Sequence, residues 1–139
     1  MIQRIQTIWL LLASLCAFLT IKFSFYTGIL VDDLQRKLIA LNAASTIPLI
    51  VLTVAVAIAA LVTIFLFKDR RMQLRITIAN LLVSVLLIVL YFSAVNNRYN
   101  EGSYDLTAPL IFLVPFFLLF AARGIYKDDR LVKSVDRLR

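Results

Sequence analysis

Asn80 and Ser84 are the residues of this chain whose type and spacing come nearest to chemistry. They stand four apart in an otherwise apolar run, which puts both on one face of a helix. In an apolar surrounding such groups either hydrogen-bond to a neighbouring helix or touch a polar solute, and the interhelical role is the simpler one. Thr53 and Thr63 are further polar side chains set in an apolar stretch. Together with Asn80 and Ser84 they are the residues that a water-filled path would have to use. The carboxylates offer less. Asp32, Asp33, Glu101 and Asp105 all fall between the apolar runs and none falls inside one, so the buried acid expected of a proton or ion relay is missing. The sequence has no His and one cysteine, Cys16, which removes the commonest general base, the commonest metal ligand and any intramolecular disulfide. Glycine-rich phosphate loops and Ser-His-Asp sets are also missing. The expectation is a protein that is not an enzyme, with no catalytic, cofactor-binding or metal-binding residue.

The elements that position these residues are legible from charge alone. Charge-free runs occupy 5–21, 38–67, 76–97 and 106–122. A helix rising 1.5 Å per residue needs about 20 apolar residues to cross a hydrocarbon core roughly 30 Å thick. With 139 residues, 62% of them hydrophobic, the chain holds one membrane domain over 1–139 and no second unit. The expected fold is an all-α membrane protein. Its four transmembrane helices, at about 5–21, 47–67, 76–95 and 106–122, form an antiparallel bundle. Arg4 followed by an apolar stretch also resembles a secretory signal, but Leu15 before Cys16 and the continuing apolar run favour an uncleaved first helix.

Local signals refine this. Ile2, Ile5, Ile8, Trp9 and Leu12 share a helical face opposite Gln3, Arg4, Gln6 and Thr7, an amphipathic start at headgroup level with Trp9 as anchor. Gly28 reads as a break. Beyond it Leu30, Leu34, Leu38 and Leu41 oppose Asp32, Asp33, Gln35, Arg36 and Lys37, which predicts a short interfacial helix in the first outer loop. Ser45 or Thr46 caps the second span and Pro48 sits in its first turn; Thr107 and Pro109 repeat the pattern at the fourth. Ala55, Ala57, Ala59 and Ala60 offer a packing face. Residues 96–105 read as a polar loop, and Pro115 should bend the fourth span. In the tail, Leu131, Val132, Val135 and Leu138 make an apolar stripe, so 123–139 is expected to be a basic cytoplasmic surface helix.

The net charge is +7. Eleven of the fifteen basic residues lie in the N-terminal segment, the 68–75 turn and the tail: Arg4, Lys68, Arg70, Arg71, Arg75, Arg123, Lys127, Arg130, Lys133, Arg137 and Arg139. The basic side stays in the cytoplasm, which puts both termini inside. These side chains suit anionic membrane lipids, at about 1 kcal/mol per Lys or Arg near the surface, or an acidic protein partner. Nothing resembles a nucleic-acid-binding face.

The two ends carry a resemblance. The opening Met1-Ile2-Gln3-Arg4-Ile5-Gln6-Thr7 and the ending Arg123-Gly124-Ile125-Tyr126-Lys127-Asp128-Asp129-Arg130-Leu131-Val132-Lys133-Ser134-Val135-Asp136-Arg137-Leu138-Arg139 resemble the domain of unknown function 4293 family. The resemblance implies a small four-helix inner-membrane protein of Bacteroidetes and transfers no catalytic residue. The function expected is a non-enzymatic accessory or scaffold subunit that packs against a membrane-protein partner. A small-solute transporter or channel acting as a homo-oligomer is the competing class.

Overall fold

Long apolar segments with few Gly and Pro favour helix, and each apolar run of the sequence contributes to one long helix. In the computed structural model, residues 5–30, 37–66 and 69–136 are described, with side chains to residue 132. The elements run α1 (Ile5–Lys22), β1 (Tyr26–Leu30), β2 (Leu38–Leu41), a 3-10 turn (Ala43–Ser45), α2 (Ile47–Phe65), α3 (Arg70–Arg98), β3 (Tyr99–Tyr104) and α4 (Pro109–Asp136). Among the described residues, these four helices are long and apolar enough to cross a membrane. With 29 residues α3 reaches about 44 Å at 1.5 Å per residue, longer than a hydrocarbon core.

The helices close into a ring, α1 against α2 and α4, and α3 against the same two. Small residues let α1 and α2 approach closely: Ala13, Ala17, Ala57 and Ala60 are all buried. Of the four alanines expected to pack, Ala55 is exposed and Ala59 only half-buried. Trp9 stacks on Phe117 and Phe120 of α4, with ring centroids 5.8 and 5.1 Å away, so its ring serves a helix–helix contact. Pro48 lies in the first turn of α2, and α4 begins at Pro109 and stays helical through Pro115. The Thr107 hydroxyl is not a cap; it donates to the Ser24 carbonyl beyond α1.

One expectation is overturned. In place of an interfacial helix, the connection after α1 carries strands in a three-stranded antiparallel sheet ordered β2-β1-β3. Leu38–Leu41 pairs with β1, and Gly28 is the middle of β1 rather than a break. The helical spacing of the leucines lost to strand pairing, which β-branched and aromatic residues in 26–30 and 38–41 support. The loop expected at 96–105 is likewise ordered: Asn96 and Asn97 extend α3, and β3 follows directly. Asp32, Asp33, Leu34, Gln35 and Arg36 lie outside the described residues. A second correction concerns 68–75. The turn is shorter than expected, since α3 starts at Arg70 and takes Arg71 and Arg75 into its first turns. The tail is helical through Asp136 as expected, but it continues α4 without a break, and the fully buried Ile125 holds its start to the bundle.

The interior keeps an apolar core around Leu10, Leu49 and Leu118, but it also holds polar side chains, and large apolar ones face outward, unlike a water-soluble domain. Gln6, Ser14, Thr53, Gln73, Thr77 and Asn80 are buried, whereas Ile5, Ile47, Phe65 and Leu82 are 62%, 80%, 77% and 66% exposed. Ile5 and Gln6 show the contrast at adjacent positions: the amide expected on the polar outer face points inward.

Candidate functional site

The polar interior is organised by α3. Between Gln73 and Tyr91 its buried positions, Gln73, Thr77, Asn80, Ser84, Leu87 and Tyr91, alternate in steps of four and three, the spacing that keeps one helical face on its neighbours. All but Leu87 carry a polar atom. The facing seam of α4 is apolar, with Ile111, Val114, Leu118, Ala121 and Ile125 buried. Two of the polar groups of α3, Gln73 and Asn80, turn to α2.

Asn80 Nδ2 donates to the Val56 carbonyl of α2 at 3.1 Å, and Gln73 Nε2 donates to the Thr63 carbonyl at 3.0 Å. Thr63 lies in the last turn of α2, where its carbonyl also accepts the Leu66 backbone N–H at 3.3 Å, so Gln73 adds a second donor to that helix end from the next helix. Ser14 of α1 donates to the Ala57 carbonyl at 3.1 Å. Thr77, Ser84 and Thr63 bond within their own helices, to Gln73, Leu81 and Ala59 carbonyls at 2.8, 2.7 and 2.6 Å. Ser84 thus shares the face of Asn80 without making an interhelical bond. Among the described residues, Gln6 Oε1, Thr53 Oγ1 and Gln73 Oε1 are buried oxygens with no hydrogen-bond partner.

At the end away from the sheet the helices part to form a groove of about 530 Å³. Its floor is the crossing of α1 and α4 at Gln6 and Gly124. A Cβ at Gly124 would stand 3.2 Å from Gln6 Cβ, so glycine permits this approach. Arg70, Lys127 and Asp128 form its polar rim, and Ile5, Leu131 and Val132 its apolar wall. Arg70 Nη1 donates to the Asp128 carbonyl at 3.0 Å, tying the first turn of α3 to the last turns of α4. Arg71, Arg75, Arg123 and Arg130 are exposed at the same end, and Arg123 lines a separate cleft with Phe120 and Tyr126. Arg4, Lys68, Arg137 and Arg139 lie outside the described residues, as does the Lys133 side chain. No group of three or more metal-ligating side chains occurs among the described residues. Asp105 accepts a hydrogen bond from Thr27 Oγ1 at 2.8 Å, and Glu101 stands exposed opposite Ile29.

The groove joins residues from both ends of the chain, Ile5 and Gln6 with Gly124, Lys127, Asp128, Leu131 and Val132. A family model described as Domain of unknown function (DUF4293) matches residues 2–138. The chain belongs to that family. Neither a curated protein nor a solved structure gives a significant match. Membership therefore brings no activity with it, and the site must be argued from its own atoms. Sequence reasoning missed Gln6, Gln73, Thr77 and Gly124. The four-and-three spacing of 73, 77, 80 and 84 was the available signal for the α3 seam; the Gln6–Gly124 crossing left none.

Proposed function

We propose that this DUF4293 protein is an integral membrane scaffold or accessory subunit, not a catalyst, whose four helices cross the inner membrane of a bacterium of the Bacteroidetes group. In this reading they form an antiparallel bundle with both termini in the cytoplasm. Membrane insertion is supported by the apolar outer surface of all four helices and by their length. Orientation is supported by the basic residues gathered at the groove end, Arg70, Arg71, Arg75, Arg123, Lys127 and Arg130.

The observation that carries the scaffold reading is how the interior polar groups are used. Asn80, Gln73 and Ser14 bond to backbone carbonyls of the neighbouring helix, which locks helices together. The outward residues of α2 and α3, such as Val51, Ile58, Leu82 and Val89, give a partner helix in the bilayer a surface for close packing. The transporter or channel reading draws on the unpartnered Thr53 Oγ1 and Gln73 Oε1. Purification in a gentle detergent with mass spectrometry of the copurifying proteins decides between them. The scaffold reading expects a stoichiometric membrane partner. Isolation as a lone species that conducts a solute in liposomes would overturn it.

A further inference from the structure

The groove at the basic end poses a specific chemical question, because its rim carries both signs of charge. Arg70 and Lys127 carry cationic donors and Asp128 carries a carboxylate, and all three residues line the same rim. Gln6 lines the groove, is 3% exposed, and its Oε1 has no donor. A buried amide oxygen left without a donor costs free energy that a ligand N–H would recover. A purely anionic occupant would satisfy Arg70 and Lys127 but would repel Asp128 and leave Gln6 unsatisfied. A purely cationic one fails at Arg70 and Lys127. The complement of the whole set is a phosphate joined by a short arm to a primary ammonium group. Ile5, Leu131 and Val132 add an apolar wall, suited to the start of an acyl chain. The volume of about 530 Å³ is within the range of small-ligand pockets.

We infer that the groove is a binding site for phosphatidylethanolamine. The phosphate lies at Arg70 and Lys127, the ammonium donates to Asp128 and Gln6 Oε1, and the glycerol and upper chains run along Ile5, Leu131 and Val132. The inference rests on the membrane reading, since it needs this end of the bundle at headgroup depth. It adds a selectivity that general attraction between basic residues and anionic lipid does not have: a primary amine is preferred over both a net-anionic headgroup and a quaternary one.

The test uses the full chain, purified, delipidated and offered an equimolar mixture of phosphatidylethanolamine, phosphatidylglycerol and phosphatidylcholine of identical chains. Bound lipid is read by native mass spectrometry. Phosphatidylethanolamine should be retained about tenfold over phosphatidylcholine, whose headgroup has no N–H, as expected for one charge-assisted hydrogen bond. It should also be retained over phosphatidylglycerol. Asp128→Asn and Gln6→Leu should each shrink the preference over phosphatidylcholine, while Arg70→Gln should lower retention of all three phosphates. Equal retention of the three lipids, or preference for phosphatidylglycerol, overturns the inference even if Gln6→Leu misfolds, because that comparison needs only the wild-type chain. Glycerophosphoethanolamine, which has no chains, should compete poorly. If it competes as well as the lipid, the groove takes a soluble phosphoamine and the lipid assignment fails. A chain recovered in soluble form without detergent would instead defeat the membrane reading itself.

Discussion

Gly28 and Gly102 are paired directly across β1 and β3, and there is no room for a side chain at either. A Cβ at Gly28 would lie 2.5 Å from the Glu101 carbonyl oxygen and 2.8 Å from Tyr26 Cε1. The Tyr26 ring covers the glycines while meeting Tyr99 and Tyr104 edge-on, at centroid separations of 5.4 and 5.1 Å. Gly28→Ala should therefore push β3 off β1, at a cost on the order of 2–4 kcal/mol. Hydrogen exchange at the β1 and β3 amides would report it as lost protection, with α1 and α4 unaffected. The Tyr99 phenol in the same cluster is held above its usual 10.0 by burial, an effect that Arg98 opposes and Tyr26 slightly reinforces. A raised value means that the fold favours the neutral phenol. Its stabilising effect is complete below pH 10.0 and disappears as pH climbs through the folded-state value. Alkaline titration should show tyrosinate absorbance and loss of β3 protection arriving together, and Tyr99→Phe should uncouple them.

At the scale of elements, α3 carries the interior polar chemistry and α4 the apolar complement. Gln73 is the informative residue, because its amide reaches from α3 to a terminal carbonyl of α2 at 3.0 Å. Gln73→Ala should fray the last turn of α2 and destabilise the bundle by about 1 kcal/mol. Gln73→Glu should cost more, since an acceptor-only carboxylate would face the Thr63 carbonyl. Chemical unfolding in mild detergent would rank wild type above the alanine variant and that above the glutamate variant. The existence of the helices was legible because apolar length is a one-dimensional property, visible as runs without charge. The sheet was not. Leu30, Leu34, Leu38 and Leu41 have helical spacing, and what turns 38–41 into a strand is the long-range pairing Tyr26↔Leu41 through Ile29↔Leu38. The groove was hidden for the same reason: Gln6 and Gly124 are far apart in the chain, and only the closing of the ring brings them together.

For the whole molecule, the two ends differ in chemistry. One is closed by the sheet, with Phe25, Tyr26, Tyr91, Phe92, Tyr99 and Tyr104 in mutual ring contact. The other is basic and open at the groove. If the helices cross a bilayer, the basic end stays in the cytoplasm and the aromatic end faces outward. Cysteine labelling tests this with little interference, because the native Cys16 is buried in α1. Tyr104→Cys places a thiol at a 55% exposed position of β3, and Arg130→Cys places one at an exposed position of α4. In intact cells made permeable only at the outer membrane, an impermeant maleimide should label position 104 and spare position 130. Disrupting the inner membrane should then expose position 130. Labelling of position 130 in the intact cells would reverse the orientation. The groove would then face the periplasm, and its lipid would be drawn from the outer leaflet of the same membrane, with the same headgroup selectivity.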